Sequence, residues 1–334
     1  MSLITRSKSP VGFDPRSRHL PATVPNGFVV GSDEPVAPAL RRVTTEQFTV
    51  AIDALTDPGA DLELAAVVSR RSLWRVAAVL RLVRGSVGSE VYRSETVVLR
   101  EVDKDLGALL TNDGALRSLD ELRNRYSSVL RPDALVRVRD DLVRDQQLRR
   151  LRAFAEHEVG GETEQTLLRL RRARARFAAW GAADRATAEP PTLDSFEAFT
   201  EGLERTYRRG RRRWKSAAAG EDPNPRRWER DVRDLGDQLE LLAASWPEVI
   251  GAAVAGCTDL AATLSEEMGY SALQRSVGND GRPLDDAEQS LLTALCDHTR
   301  CELHGISVAL GARIYAETPS AFVTRIGSYW ATRR

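Results

Sequence analysis

Apolar residues recur at helical spacing along most of this chain, most clearly from 66 to 83, AVVSRRSLWRVAAVLRLV. There Leu73, Val76, Leu80 and Val83 stand at i, i+3, i+7 and i+10, one stripe of an α-helix. The stripe returns 159 residues later at Val232, Leu235, Leu239 and Leu242, with Arg71 answered by Arg230. After a one-residue slip, Glu248 and Val249 answer Glu90 and Val91, while Leu260 and Leu264 answer Val102 and Leu106. Two consecutive matched helices read as an internal duplication.

Helices are predicted over about 38–55, 66–83, 90–109, 115–130, 133–157, 162–180 and 195–218. Pro223 and Pro225 open the repeat of the second helix, and Pro247 opens the repeat of the third. Gly269 and the Gly278–Pro283 loop then precede a long helix over 285–316, and Pro319 starts a short last one. Pro and Gly fall at ends and loops, and no alternating apolar run reads as a strand, so the expected class is all-α. Residues 1–34, with four prolines and no periodicity, read as a loose arm. The stretch 181–191 is the expected linker between a first helical half at 35–180 and a second at 192–330.

Composition narrows the function classes. Lys+Arg and Asp+Glu are both 48, so any basic surface must be local. Only Lys8, Lys104 and Lys215 are lysines, and the other 45 cations are arginines, whose planar fork suits phosphate. Three cysteines make no disulfide framework. With no apolar leader at the start and no run judged long enough to cross a membrane, the expectation is a cytoplasmic protein without a membrane partner.

Five phrases carry a family resemblance: ALRRVTTEQFTVAIDAL at 39–55, VSRRSLWRVAAVLRLVRG at 68–85, LERTYRRGRRRW at 203–214, WERDVRDLGDQLELLAASWPEVIG at 228–251 and LGARIYAETPSAFVTRIGSYW at 310–330. In content and order they resemble the CHAD domain family, the conserved histidine α-helical domain, over about 35–330. The resemblance implies two four-helix-bundle-like halves related by a pseudo-twofold, with a cationic central pore that binds inorganic polyphosphate. Some members are fused to CYTH domains, of which no sign is found here. The namesake histidines would fall at Val67, at Arg226 and near Met268, and none is histidine. His19, His157, His298 and His304 lie elsewhere, as in a divergent member.

Three helices carry the candidate binding residues. On the first, Arg70, Arg71, Arg75, Arg81 and Arg84 have no acid among them between Glu63 and Glu90. On the 195–218 helix, Arg205, Arg208, Arg209 and Arg212 form a stripe, with no acid from 205 to 215. In the repeat, Glu229 and Asp234 replace Arg70 and Arg75, and the i, i+4 pairs Arg227–Asp231, Arg230–Asp234 and Glu229–Arg233 would partly neutralise that face. The expected polyphosphate clamps are Arg70, Arg71, Arg75, Arg208, Arg209, Arg212, Arg230 and Arg233.

Other constellations carry less. Cys296, His298, Cys301 and His304 form C-x-H-x2-C-x2-H within a helix, without the remote ligands that would complete a zinc site. Gly251–Gly256 lacks the lysine of a phosphate loop, since Cys257 stands in its place. Glu266 and Glu267 beside Asp259 read as an acidic surface at a helix end.

The leading reading is therefore a non-enzymatic polyphosphate or similar linear-polyanion binder, with no cofactor or metal, nucleic acid disfavoured, and polyphosphate granules as its expected location. The alternative is a CHAD-like scaffold that has lost the ligand and docks a protein partner.

Overall fold

Proline, glycine and capping residues set the ends of eleven α-helices in the computed structural model, which describes residues 27–110, 114–160, 162–180, 193, 195–221, 225–278 and 284–333. These are α1 (Val36–Thr56), α2 (Leu62–Leu82), α3 (Ser89–Ala108), α4 (Gly114–Arg125), α5 (Pro132–Gly160), α6 (Glu162–Ala178), α7 (Glu197–Ala218), α8 (Pro225–Leu241), α9 (Pro247–Val277), α10 (Asp286–Ile314) and α11 (Pro319–Thr332). A single 3-10 turn, Ala243–Ser245, joins α8 to α9. There is no strand among the described residues, so the chain is all-α.

The ends have identifiable causes. Asp61 caps α2 by accepting from the Glu63 and Leu64 amides at 2.9 and 3.1 Å. Asp285 and Glu288 form a reciprocal capping box at α10, and Thr318 with Pro319 starts α11.

Two apolar cores result. The main one gathers α1, α2, α3, α6, α7, α8, α11 and the first half of α9, around Phe48, Leu73, Phe177, Phe199, Tyr207 and Leu235. The second gathers α4 and α5 against the last turns of α9 and the first half of α10, around Leu119, Leu122, Tyr270, Leu273 and Cys296. Helices on the two sides of the expected linker thus share both cores, while the linker itself lies outside the described residues.

Three expectations are corrected. Residues 27–34 are not loose: Phe28 and Val30 are buried, the Val30 amide donates to Leu241 O at 2.8 Å, and Arg75 covers the Phe28 ring. Gly269 does not break a helix, because α9 runs through it. A β-carbon there would stand 2.6 Å from Ser118 Oγ and 3.0 Å from Gly114 O, so the glycine lets α4 approach. Finally, α9 is long and apolar enough, by length and composition, to cross a membrane. Packing against α4, α8 and α10 accounts for that apolar character only in part, since 22% of the apolar stretch is buried.

Candidate functional site

Helical periodicity brings one face of α2 and one face of α8 to a common cleft. On α2, Val67, Arg70, Trp74, Ala77 and Arg81 stand at i, i+3, i+7, i+10 and i+14 and face the same way. On α8, Arg226, Glu229, Arg230, Arg233 and Asp234 do the same. Arg100 and Asp103 of α3 and Ser265 and Met268 of α9 complete the walls, with Arg117 of α4 and Arg150 of α5 at one end. The cleft encloses about 1250 Å³. Ser265 and Met268 lie between the α9 residues of the two cores, so the cleft opens where those cores meet. Val67, Arg226 and Met268, where the resemblance would put histidines, all line it.

Eight arginines and five carboxylates face this space, a surplus of three positive charges. Arg70 Nε donates to Asp103 Oδ1 at 2.8 Å, and Trp74 Nε1 donates to the same oxygen at 2.9 Å. Arg81 pairs with Asp234 at 2.8 Å, Arg150 with Asp61 at 2.8 Å, and Arg233 with Glu229. The Arg233 guanidinium lies 4.0 Å from the Trp74 ring centre, and that of Arg70 lies 5.0 Å from it. Burial first, and repulsion from Arg71 second, pull Arg233 down to about 10. Arg100 and Arg230 are exposed and carry no ion pair among the described residues.

The expected clamps divide. Arg70, Arg230 and Arg233 line the cleft, whereas Arg71, Arg75, Arg208, Arg209 and Arg212 do not. Nor are the first four of these unopposed, as the acid-free runs suggested. Along α8 the carboxylates Asp231, Asp234, Asp237 and Glu240 recur every three residues and form a stripe. Arg71 of α2 reaches Asp237 through two contacts of 2.6 and 3.0 Å, and Arg75 reaches Glu240 at 2.6 Å. From α7, Arg209 reaches Asp231 at 2.9 Å and Asp234 at 3.2 Å, and Arg213 reaches Asp231 at 2.9 Å. Arg205 and Arg208 pair one turn back with Glu201 and Glu204. Arg212 is exposed, without an ion pair among the described residues.

An acid-free stretch of helix is thus no guide to charge in space, because the acids arrive from a neighbouring helix. Of the three i, i+4 pairs foreseen on α8, only Glu229–Arg233 forms among the contacts described, since α2 and α7 take Asp231 and Asp234 instead. Asp234 is buried, and burial raises its pKa against the lowering effect of Arg81 and Arg209.

The other constellations resolve simply. Cys296 is buried in the second core, His298 is exposed beside Glu302, and His304 meets Ala217 O at 3.1 Å. No group of three metal-binding side chains gathers among the described residues. Gly251–Gly256 lies within α9. Glu267 is not on an acidic surface: it is buried in α9, and burial raises its pKa, opposed by His304 and Arg300.

Arg100, Arg117 and Arg150 were missed as cleft residues, and Arg226 was noted only as a histidine position. Arg100 and Asp103 stand one turn apart, a hint that α3 shares a face with α2. Nothing in the sequence brings α4 or α5 to the site. Compared with known proteins, the chain matches no family model, and no curated protein matches it.

Proposed function

We propose that the cleft binds inorganic polyphosphate, or a similarly linear polyanion, without a chemical step, between two four-helix-bundle-like halves of CHAD-like arrangement. The observation that carries this reading is the set of eight arginines against five carboxylates facing one cleft, with Arg100 and Arg230 carrying no ion pair among the described residues. Guanidinium groups grip phosphate oxygens through paired N–H donors and release counterions as they engage. The α2 wall runs from Leu64 to Arg81, about 25 Å at the helical rise, which suits an extended ligand. Trp74 is the lone aromatic among the lining residues and its ring is covered by Arg233, so no free platform offers itself to nucleic-acid bases.

The duplication draws support from paired contacts. Under the 159-residue shift, Arg75 corresponds to Asp234 and Arg81 to Glu240. The ion pairs Arg75–Glu240 and Arg81–Asp234 are therefore images of each other. Trp74 corresponds to Arg233, so the stacking contact between them is its own image, as a contact on a twofold axis would be.

Titration with long-chain polyphosphate tests the reading. Saturable binding near physiological salt is expected, weakening with salt at a log–log slope of roughly −3 for about four phosphate contacts. Arg100→Ala with Arg230→Ala should weaken binding, whereas Arg208→Ala with Arg212→Ala, outside the cleft, should leave it nearly unchanged. A protein binding at polyphosphate granules would act in the cytoplasm. A scaffold for a protein partner is the second reading, favoured by the arginines consumed on α8 and by exposed Leu64 and Val67 at the cleft wall. No saturable binding, or binding indifferent to salt, would leave that reading in place.

A further inference from the structure

A second, smaller cavity of about 240 Å³ adjoins the cleft between α4, α5 and α9. Its floor is apolar, made by Ala115, Leu116, Leu142 and Ala272. Two exposed guanidinium groups, Arg149 of α5 and Arg275 of α9, stand at its rim, and no carboxylate is among its lining residues. Gln146 lines both this cavity and the cleft, so the two share a wall. On the cleft side of that wall stand Arg150 and, from α4, Arg117.

The charges favour continuity. Arg149 has no ion pair among the described residues, and Arg275 engages one N–H, its Nε, with Ser271 O of its own helix at 3.1 Å. An exposed ion pair stabilises a fold by only about 0 to 1 kcal/mol, so folding gains little from pairing them. Two guanidiniums without an ion pair among the described residues, standing beyond a neutral Gln146, extend the arginine surface past the end of the main cleft.

We propose that the ligand track does not end in the cleft but passes Gln146 to a second phosphate subsite at Arg149 and Arg275. This inference rests on the polyanion reading of the cleft and deepens it: the protein selects chains long enough to occupy both chambers over short ones that fill the cleft alone. The chemistry required is a flexible chain with a phosphate-like charge at each unit. Compact phosphates reach one chamber only.

The test measures binding of tripolyphosphate and of long-chain polyphosphate to the whole protein and to three variants. Arg149→Ala with Arg275→Ala should weaken long-chain binding and lower its log–log salt slope by roughly 1 to 2, leaving tripolyphosphate affinity unchanged. Arg149→Lys with Arg275→Lys should restore most of the long-chain affinity, because the charge returns without the fork. Arg171→Ala with Arg172→Ala removes the same charge from exposed positions of α6 that line neither cavity, and should change neither ligand.

Unchanged tripolyphosphate binding doubles as the check that the variant folds. If long chains bind the Arg149/Arg275 alanine variant as they bind the wild type, or if the α6 variant weakens them equally, the second subsite is overturned while the cleft stands. If neither ligand binds the wild type, both readings fall.

Discussion

Asp234 sits buried on α8 with Arg81 of α2 and Arg209 of α7 against its two oxygens. Removing a buried carboxylate from such a cluster leaves guanidiniums without their partner, which costs about 3 to 5 kcal/mol. Arg81 and Arg209 are 28% and 32% exposed, so water recovers part of that loss. Asp234→Leu is therefore expected to destabilise by about 3 kcal/mol in denaturant unfolding, and adding Arg81→Met should recover much of it, because Arg209 keeps Asp231. The pH dependence has a definite sign. A carboxyl whose folded pKa lies above its unfolded value binds its proton first in the fold, so between those values the fold holds the extra proton. This group then makes stability fall as pH rises above the ordinary carboxylate range, and Asp234→Leu should lose that falling contribution. Asp234 was legible in sequence as an acid that disturbs a basic face. Its partners were not, because i, i+4 arithmetic offers Arg230, whereas the helix crossing delivers Arg81 and Arg209.

Helices were legible because punctuation was local. The expected span 195–218 became Glu197–Ala218, and the prolines at 132, 225, 247 and 319 each open a helix. Where reading failed, a tertiary contact had overruled a local rule, as at Gly269 and at Phe28. Gly202 on α7 is the sharpest such case. Local propensity says that Gly→Ala inside a helix gains up to about 1 kcal/mol. A β-carbon at Gly202, however, would collide with Leu82 O of the α2 backbone, which cannot swing aside like a side-chain tip. Overpacking of this kind costs about 1 to 3 kcal/mol. Packing should win, so Gly202→Ala is expected to lower the thermal midpoint, and a raised midpoint would mean that α7 and α2 separate without cost. Gly88, by contrast, has φ +75° and open space around it, so its substitution would strain only the backbone.

At the scale of the molecule, the all-helical class was readable, but which helices wall the cleft was not. The cleft depends on α4 and α5 crossing to the later helices, a pairing without periodicity in the sequence. That topology also says what a ligand should do to stability. The cleft lies where the two cores meet, and its walls come from helices of each, so unfolding either core dismantles the site. A ligand that binds the fold alone stabilises it by RT ln(1 + [L]/Kd), about 2.7 kcal/mol at a hundredfold excess over Kd. For a chain of this size that corresponds to a rise of roughly 4 °C in the unfolding midpoint. Long-chain polyphosphate at that excess should produce such a rise in a single cooperative transition, and the rise should shrink as salt is added at fixed ligand. The Arg100/Arg230 alanine variant should show little of it at the same ligand concentration, because its Kd has grown. Equal rises in wild type and variant would place the polyanion on the general surface rather than between the cores. A rise confined to one of two resolved transitions would mean that the ligand holds one core and that the cleft does not couple them.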